Sequence, residues 1–354
     1  MTILRELLNV EYPVIQAPMA GVQDSALTIA VSKAGGLGSL PCAMLTGDKI
    51  REEVARIRSA TDRPFNLNFF CHTQPPEDPE KEAAWRQSLQ PYYEELGLDV
   101  NDDAGGASRR PFDEQTADLV AELKPAVVSF HFGLPASDLL AYLKSNGVKV
   151  LASATTVAEA QWLEQRGADA IIAQGIEAGG HRGHFLSDDL GLHMGTFALL
   201  PQIVSRVKIP VIAAGGIASA AGVEAARKLG AVAAQIGTAY LLCTETKTSS
   251  IHRAALQSEQ ASHTEITNVF SGRPARGIVN RLIREQGLLS TRVPDFPNAA
   301  AALAPLRSEA EKRGKGDFSP LWAGQNTTGC EEISAGEMTL KLAGERNTPG
   351  SSIR

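Results

Sequence analysis

The chain has 354 residues, enough for one large domain or two smaller ones, and its 43% hydrophobic and 21% charged residues belong to a folded globular protein rather than a disordered one. Its 34 basic and 40 acidic residues leave a net charge of -6, which argues against a broad phosphate-backbone footprint and hence against nucleic acid as a partner. No run approaches the ~18 apolar residues of a membrane span. Arg5, Glu6 and Glu11 stand where a secretory signal would be apolar. Cys42, Cys71, Cys243 and Cys330 make no C-x-x-C pair, so reduced thiols and a cytoplasmic location are expected.

Taken in chain order, short β-rich apolar runs alternate with amphipathic stretches. The runs are PVIQAP (13–18), LGSL (37–40), FNLNFF (65–70), AVVSFHF (126–132), KVLAS (149–153), AIIAQG (170–175), PVIAAGG (210–216) and AAQIG (233–237). Helical spacing is predicted over 25–34, 48–60, 114–123, 137–145, 157–166, 196–207 and 221–229. Several of these stop at a glycine, at Gly147, Gly167 and Gly230, the usual helix C-terminal punctuation. Parallel strands need such crossovers, and eight in succession predict an α/β protein of the (β/α)8 barrel type. A doubly wound sheet alternates in the same way, so the count alone leaves that alternative open.

Two segments fall outside the repeat. Residues 71–113, with Gln74-Pro75-Pro76, Asp102-Asp103 and Gly105-Gly106, read as an insertion after the third strand, longer than an ordinary connection. The predicted division is therefore a barrel over 1–242, a mostly helical covering region over 243–343 and a flexible tail over 344–354.

In a barrel the loops after the strands form the working face, and here they are rich in polar and small residues. The first run leads into Ala17-Pro18-Met19-Ala20-Gly21, the third contains Asn68, the fourth ends in His131, and the sixth leads from Gln174 into Gly179-Gly180-His181-Arg182-Gly183. The last two runs end in Gly215-Gly216 and in Gln235-Ile236-Gly237-Thr238. Small residues there suit close backbone approach to a phosphate, which barrels commonly grip after strands seven and eight; a plain tight turn is the alternative for either glycine pair.

His181 is flanked by glycines in a loop that periodicity does not assign to the core, and an imidazole with an ordinary pKa of about 6.5 accepts a proton near neutral pH. An exposed loop histidine is the bland alternative. His181, His184 and His193 with Asp188 or Asp189 match neither the helical H-E-x-x-H spacing nor a standard zinc set, so no metal is expected. His131 reads equally as a core histidine bonded to a backbone group or as a pocket residue. Asn68 closes an apolar strand, where an unpaired amide is costly, and so calls for a polar partner. Cys71 and His72 have no third group in sequence to complete a cysteine-protease arrangement.

Together these residues resemble the class I nitronate monooxygenases, formerly 2-nitropropane dioxygenases, which are FMN-dependent TIM-barrel enzymes. The resemblance rests on YPVIQAPMAGV from Tyr12, FNLNFF from Phe65, SFHFGLP from Ser129 and QGIEAGGHRGHF from Gln174. AAGGI and QIGTAYL continue it to about residue 242, and Leu321-Trp322-Ala323-Gly324-Gln325 resembles the family's C-terminal region. It implies that Asn68, Gln174, Gly179, Gly180, Gly215, Gly216, Gln235, Ile236, Gly237 and Thr238 contact FMN, with Met19 and Gly21 close by. It makes His181 the active-site base or substrate-orienting group and His131, Arg182, Tyr240 and Trp322 pocket candidates. Tyr240 stands where related sequences often carry phenylalanine, and Lys315 is a further lid candidate weighed against an ordinary solvated surface lysine.

The implied reaction is oxidation of an alkyl nitronate, propionate 3-nitronate being representative, by dioxygen to an aldehyde-type product and nitrite. A neutral nitroalkane would first lose a proton to His181; a nitronate anion would instead be bound by the protonated ring. The enzymatic alternative is a nicotinamide-dependent flavin reductase of the same barrel family, acting on quinones or enoyl-carrier-protein substrates. No G-x-G-x-x-G follows the first strand, but such enzymes do without it. A non-catalytic flavin-binding barrel would need no base at position 181.

Overall fold

The computed structural model describes residues 3–100 and 109–345. Each of the eight apolar runs contains a strand: β1 (Val14–Gln16), β2 (Gly38–Pro41), β3 (Phe65–Phe70), β4 (Val127–His131), β5 (Lys149–Ala154), β6 (Ala170–Gln174), β7 (Val211–Ala214) and β8 (Ala233–Ile236). Neighbours pair in parallel from β2 round to β8 and on to β1. The ring closes where Gln16 N donates to Leu37 O and Leu37 N donates to Val14 O, each at 3.0 Å. The fold is therefore the (β/α)8 barrel, and the doubly wound alternative falls.

Alternation along a strand sends side chains to opposite faces, and β5 shows both. Val150 and Ala152 pack in the large cluster shared with the outer helices. Leu151 between them packs instead with Ile15, Ile172 and Ile212 and with Leu4 and Leu8 of the N-terminal helix Ile3–Leu8. Five of the helices that follow strands start on a side chain that takes up a free amide of the first turn, while those at Ser137 and Thr196 have no side-chain cap. Asp24, Thr46, Asp113, Thr156 and Ser219 do this at 25, 47, 114, 157 and 220.

The segment after β3 carries the helix Pro79–Leu96, capped by Asp78 and ended at Gly97 with φ +73°. Its Trp85, Leu89 and Tyr93 pack against Ala299, Leu303 and Leu306 of the later region. Trp85 Nε1 donates to Ala299 O at 3.3 Å and Tyr93 Oη to Ala302 O at 2.7 Å. The two segments outside the repeat thus share one core. The Asp102-Asp103 and Gly105-Gly106 signals, and the tail from 346 onward, lie outside the described residues.

The later region holds helices Ser250–Leu256, Arg281–Gln286, Ala304–Lys312 and Ala335–Ala343. It also holds two strands that periodicity does not reveal, Thr264–Thr267 and Ala275–Ile278, paired antiparallel. The second pairs with a two-residue strand, Gly180–His181, placing Ala275 opposite His181 and Arg276 opposite Gly180. A bridge from Gly277 to Trp322 extends this small sheet. What reads as a flexible glycine loop is therefore the edge of a sheet over the barrel mouth. No helix among the described residues is long and apolar enough to cross a membrane.

Candidate active site

A cavity opens at the C-terminal ends of the barrel strands, bounded by Ala17 and Met19 after β1, Asn68 in β3, His131 in β4, Gln174 in β6, Gly215 and Gly216 after β7, and Gln235 to Thr238 at β8. Gly179, Gly180, His181, Trp322 and Gly324 line its outer side. Side-chain amides hold the floor. Ser39 N donates to Gln16 Oε1 at 2.9 Å, Gln16 Nε2 to Gln23 Oε1 at 2.7 Å, and Gln23 Nε2 to Ser39 O at 2.7 Å. Met19 N also donates to Gln23 Oε1 at 2.8 Å, so this ring of amides sets the path of the loop after β1. Asn68 Nδ2 donates to Ser129 Oγ at 3.0 Å, giving the amide the polar partner that its burial demands.

His181 is positioned by its backbone and its ring separately. Its carbonyl accepts from Gln174 Nε2 at 3.0 Å and lies 3.1 Å from His131 Nε2. A carbonyl only accepts, so His131 carries its proton on Nε2, and its Nδ1 accepts from Ser153 Oγ at 3.0 Å. The His181 ring places Nε2 2.8 Å from Ser271 Oγ. Ser271 Oγ in turn donates to Arg273 O at 3.3 Å, so it is free to accept Nε2–H. That arrangement leaves Nδ1 as the ring's acceptor nitrogen, on a side chain that lines the cavity. Phe132, Phe296 and Trp322 surround the ring at centroid distances of 6.1, 5.3 and 5.7 Å.

Burial is the main cause that holds the His181 pKa well below its ordinary 6.5, and the charges of Arg109 and Arg273 add to it. His131 falls to about 4, again mainly through burial. Both rings are therefore neutral at pH 7. A neutral His181 is a proton acceptor, which suits it to proton removal and not to holding an anion as an imidazolium.

A family model for "Nitronate monooxygenase" matches residues 1–345. The chain belongs to the nitronate monooxygenase family. It is 41% identical to a nitronate monooxygenase of Pseudomonas aeruginosa, the match covering 96% of this chain and 97% of that one. It is 42% identical to one of Paraburkholderia phytofirmans, covering 97% and 94%. The solved structure of a nitroalkane oxidase from Streptomyces ansochromogenes superposes with a TM-score of 0.87 at 38% identity, covering 97% of both chains. FabK of Thermotoga maritima is more distant, at 27% identity and a TM-score of 0.72, covering 97% of this chain and 94% of that one. As a member of the nitronate monooxygenase family, the chain is an oxidoreductase.

Against the family resemblance read from sequence, most of the expected residues meet at this one cavity, while Tyr240, Arg182, Gly21 and Lys315 do not line it. Tyr240 is wholly buried; its hydroxyl lies 2.9 Å from Thr339 Oγ1, and it packs with Val14 and Met338 instead of facing substrate. A tyrosine hydroxyl here pairs two core elements and leaves pocket polarity untouched. Arg182 is also fully buried and lies behind β6, with Nη1 donating to Gly175 O at 2.8 Å and Nη2 to Gln174 O at 3.0 Å. Its Nε donates to His193 Nδ1 at 3.3 Å, so it supports the wall and does not touch the pocket. Gly21 turns the loop after β1 at φ +84° without lining the cavity.

His131 lines the cavity, yet both ring nitrogens hold neighbouring groups, so it reads as the support of His181. Gln174 likewise spends its amide on His181 O and on Gly183 N, the latter at 2.8 Å. Trp322 faces the cavity, whereas Lys315 is exposed and outside its lining. His184 and His193 face each other at 5.3 Å, and neither lines the cavity. Among the described residues no three metal-ligating side chains converge.

Sequence reasoning missed Ser271, Arg109, Glu177 and Phe296. Glu177 accepts from Thr196 N at 2.9 Å, tying the strand-six loop to the helix Thr196–Val204. Glu177 stands inside the quoted segment after the sixth strand but has no role in that reading, whereas Ser271, Arg109 and Phe296 lie in irregular segments that tertiary folding alone carries to the mouth.

Proposed function

We propose that this chain is an FMN-dependent enzyme that oxidises alkyl nitronates of the propionate 3-nitronate type with dioxygen, giving an aldehyde-type product and nitrite. The observation that carries the reading is His181: a neutral ring set in an aromatic wall and lining the cavity, with Nε2 anchored on Ser271 and Nδ1 left as its acceptor nitrogen. The residues fit a flavin. Gln235 Oε1 is buried at the cavity without any partner, a cost that a flavin or ribityl donor would relieve. Gly215, Gly216 and Gly237 leave a side-chain-free strip of backbone beside it. Met19, Asn68, Gly179, Gly180, Ile236 and Thr238 would complete the contacts, with Gln174 beneath.

The chemistry a bound flavin supplies is electron transfer from the nitronate to dioxygen. The chain's own residues do the rest. His181 Nδ1 removes the proton from the carbon bearing the nitro group when the substrate is a neutral nitroalkane. Ser271 keeps that nitrogen unprotonated by accepting Nε2–H. Phe70 and Trp322 present apolar surface at the cavity and keep water from the reacting carbon. The region 243–343, with the helix 79–96, acts as the cover. The four free cysteines support a reducing, cytoplasmic setting.

The likeness to FabK favours one second reading, a flavin enzyme reduced by a nicotinamide. Anaerobic mixing of the yellow protein with propionate 3-nitronate, and separately with NADH, decides between them. Bleaching by the nitronate alone, followed by nitrite in air, is expected; bleaching by NADH alone would overturn the proposal.

A further inference from the structure

Resting on the nitronate-oxidising reading, we infer that Arg109 is a specificity-determining residue that binds a carboxylate on the substrate, remote from the carbon that reacts. The cavity lining contains two formally charged side chains at neutral pH, Glu177 and Arg109. The Glu177 carboxylate is already occupied by the amide and hydroxyl of Thr196, both at 2.9 Å. Arg109 has neither a salt bridge nor a side-chain hydrogen bond to any described residue, although it is half-buried and its pKa is pulled down by that burial. A desolvated guanidinium without a partner is costly, and its planar fork matches a carboxylate in two parallel hydrogen bonds.

Its place in the cavity decides which end of a substrate it reads. Arg109 enters from the segment after β3, across the barrel from the glycines after β7 and β8. The Phe296 ring neighbours both groups, 5.9 Å from the Arg109 guanidinium carbon and 5.3 Å from the His181 ring. A substrate whose reacting carbon lies at His181 can therefore place a second group at Arg109, since both side chains line one cavity. Among the described residues no lysine lines the cavity, and this arginine is the one fixed cation in its lining. Arg273 lies nearby but stacks on Phe132 at 4.2 Å and donates to His184 O.

The test compares propionate 3-nitronate with propyl nitronate, of equal chain length and without the carboxylate, on the holoenzyme. Arg109→Met is expected to lower kcat/KM for propionate 3-nitronate by roughly 10- to 100-fold, the worth of one charge-assisted pair, mainly through KM. The loss on propyl nitronate is expected to be at least about tenfold smaller, and Arg109→Lys to keep part of the discrimination. Equal losses on both substrates would overturn the inference, because Arg109 would then hold the nitronate group or the fold. A direct binding measurement stands beside turnover. Succinate has the length and charge of propionate 3-nitronate; calorimetry on the wild-type holoenzyme should show it binding more tightly than butyrate, and Arg109→Met should erase the difference. A wild-type protein that binds both alike would overturn the inference without any variant. If neither nitronate is oxidised, the proposed function falls, while the succinate and butyrate arms still decide the role of Arg109.

Discussion

At the scale of single residues, the site depends on how one imidazole is held. His181→Ala removes the proton acceptor, so turnover of a neutral nitroalkane should fall by about 10²- to 10⁴-fold. Oxidation of a preformed nitronate, which has no proton to lose, should fall far less; steady-state assays with nitroethane and ethyl nitronate would show it. Because burial lowers the His181 pKa, the nitroalkane rate should hold as pH drops through 6.5 and decline only well below it. A rate that halves near pH 6.5 would contradict the buried, neutral ring. Ser271 is a positioning residue, 2.8 Å from His181 Nε2. Ser271→Ala should cost roughly 5- to 10-fold on nitroalkanes, about one net hydrogen bond. A defect in folding would instead slow both substrate types equally, so the ratio of the two rates is the quantity to measure.

At the scale of elements, the two-residue strand Gly180–His181 makes a loop into part of a wall. It pairs with Ala275–Ile278 on one side, and Gly179 beside it lies against the 323–324 backbone. A Cβ on Gly179 would stand 2.5 Å from Gly324 N and 2.6 Å from Ala323 C, both backbone atoms that cannot swing aside. Gly179→Ala should therefore cost about 1–3 kcal/mol of stability by overpacking and release bound flavin. Gly180 gives the matched control: its Cβ would meet nothing within 4 Å, but its φ of +71° disfavours a side chain. Gly180→Ala should cost only about 1 kcal/mol. Flavin absorbance after gel filtration, with a denaturant titration, separates the two variants. Equal flavin loss in both would show that the contact with 323–324 is not what closes the wall.

At the scale of the whole molecule, charge is unevenly spread. A chain of net charge -6 keeps Arg182, Arg273 and Arg276 withdrawn from water close to the barrel mouth, and burial pulls all three pKa values down. The nearby histidines respond to burial and to these charges: His131 and His193 fall to about 4 and His184 to about 3. His252, also at the cavity, falls to about 4 through burial. In the unfolded chain each would protonate near 6.5. Between about pH 6.5 and 4 the unfolded state therefore binds more protons than the folded state, so stability is complete above 6.5 and is lost on acidification. Tm should be flat above pH 6.5 in this respect and fall steadily toward pH 4; a Tm that rises on acidification over that range would refute the buried, neutral assignment.

How much was legible before folding differs between these scales for a physical reason. Barrel strands and helices are written in local periodicity, apolar runs with glycine and cap signals between them, so all eight strands and the strand-end residues Asn68, His131, Gln174 and Gln235 could be placed from sequence alone. His181 and the glycines after the sixth, seventh and eighth runs were also legible in the loops, and the family resemblance added their roles toward FMN and substrate. What local pattern does not encode is direction and distant pairing. Arg182 and Tyr240 stand beside the right motifs, yet their side chains point into the packing behind the wall. Ser271 and Arg109 lie in irregular segments with no periodicity to mark them, brought to the mouth by antiparallel pairing with 275–278 and by the path of the segment after β3. The chain's order of residues by itself determined the barrel and the rim on which function sits; the tertiary structure decided which rim side chains face the cavity, because that depends on contacts between residues about 90 apart, as His181 and Ser271 are.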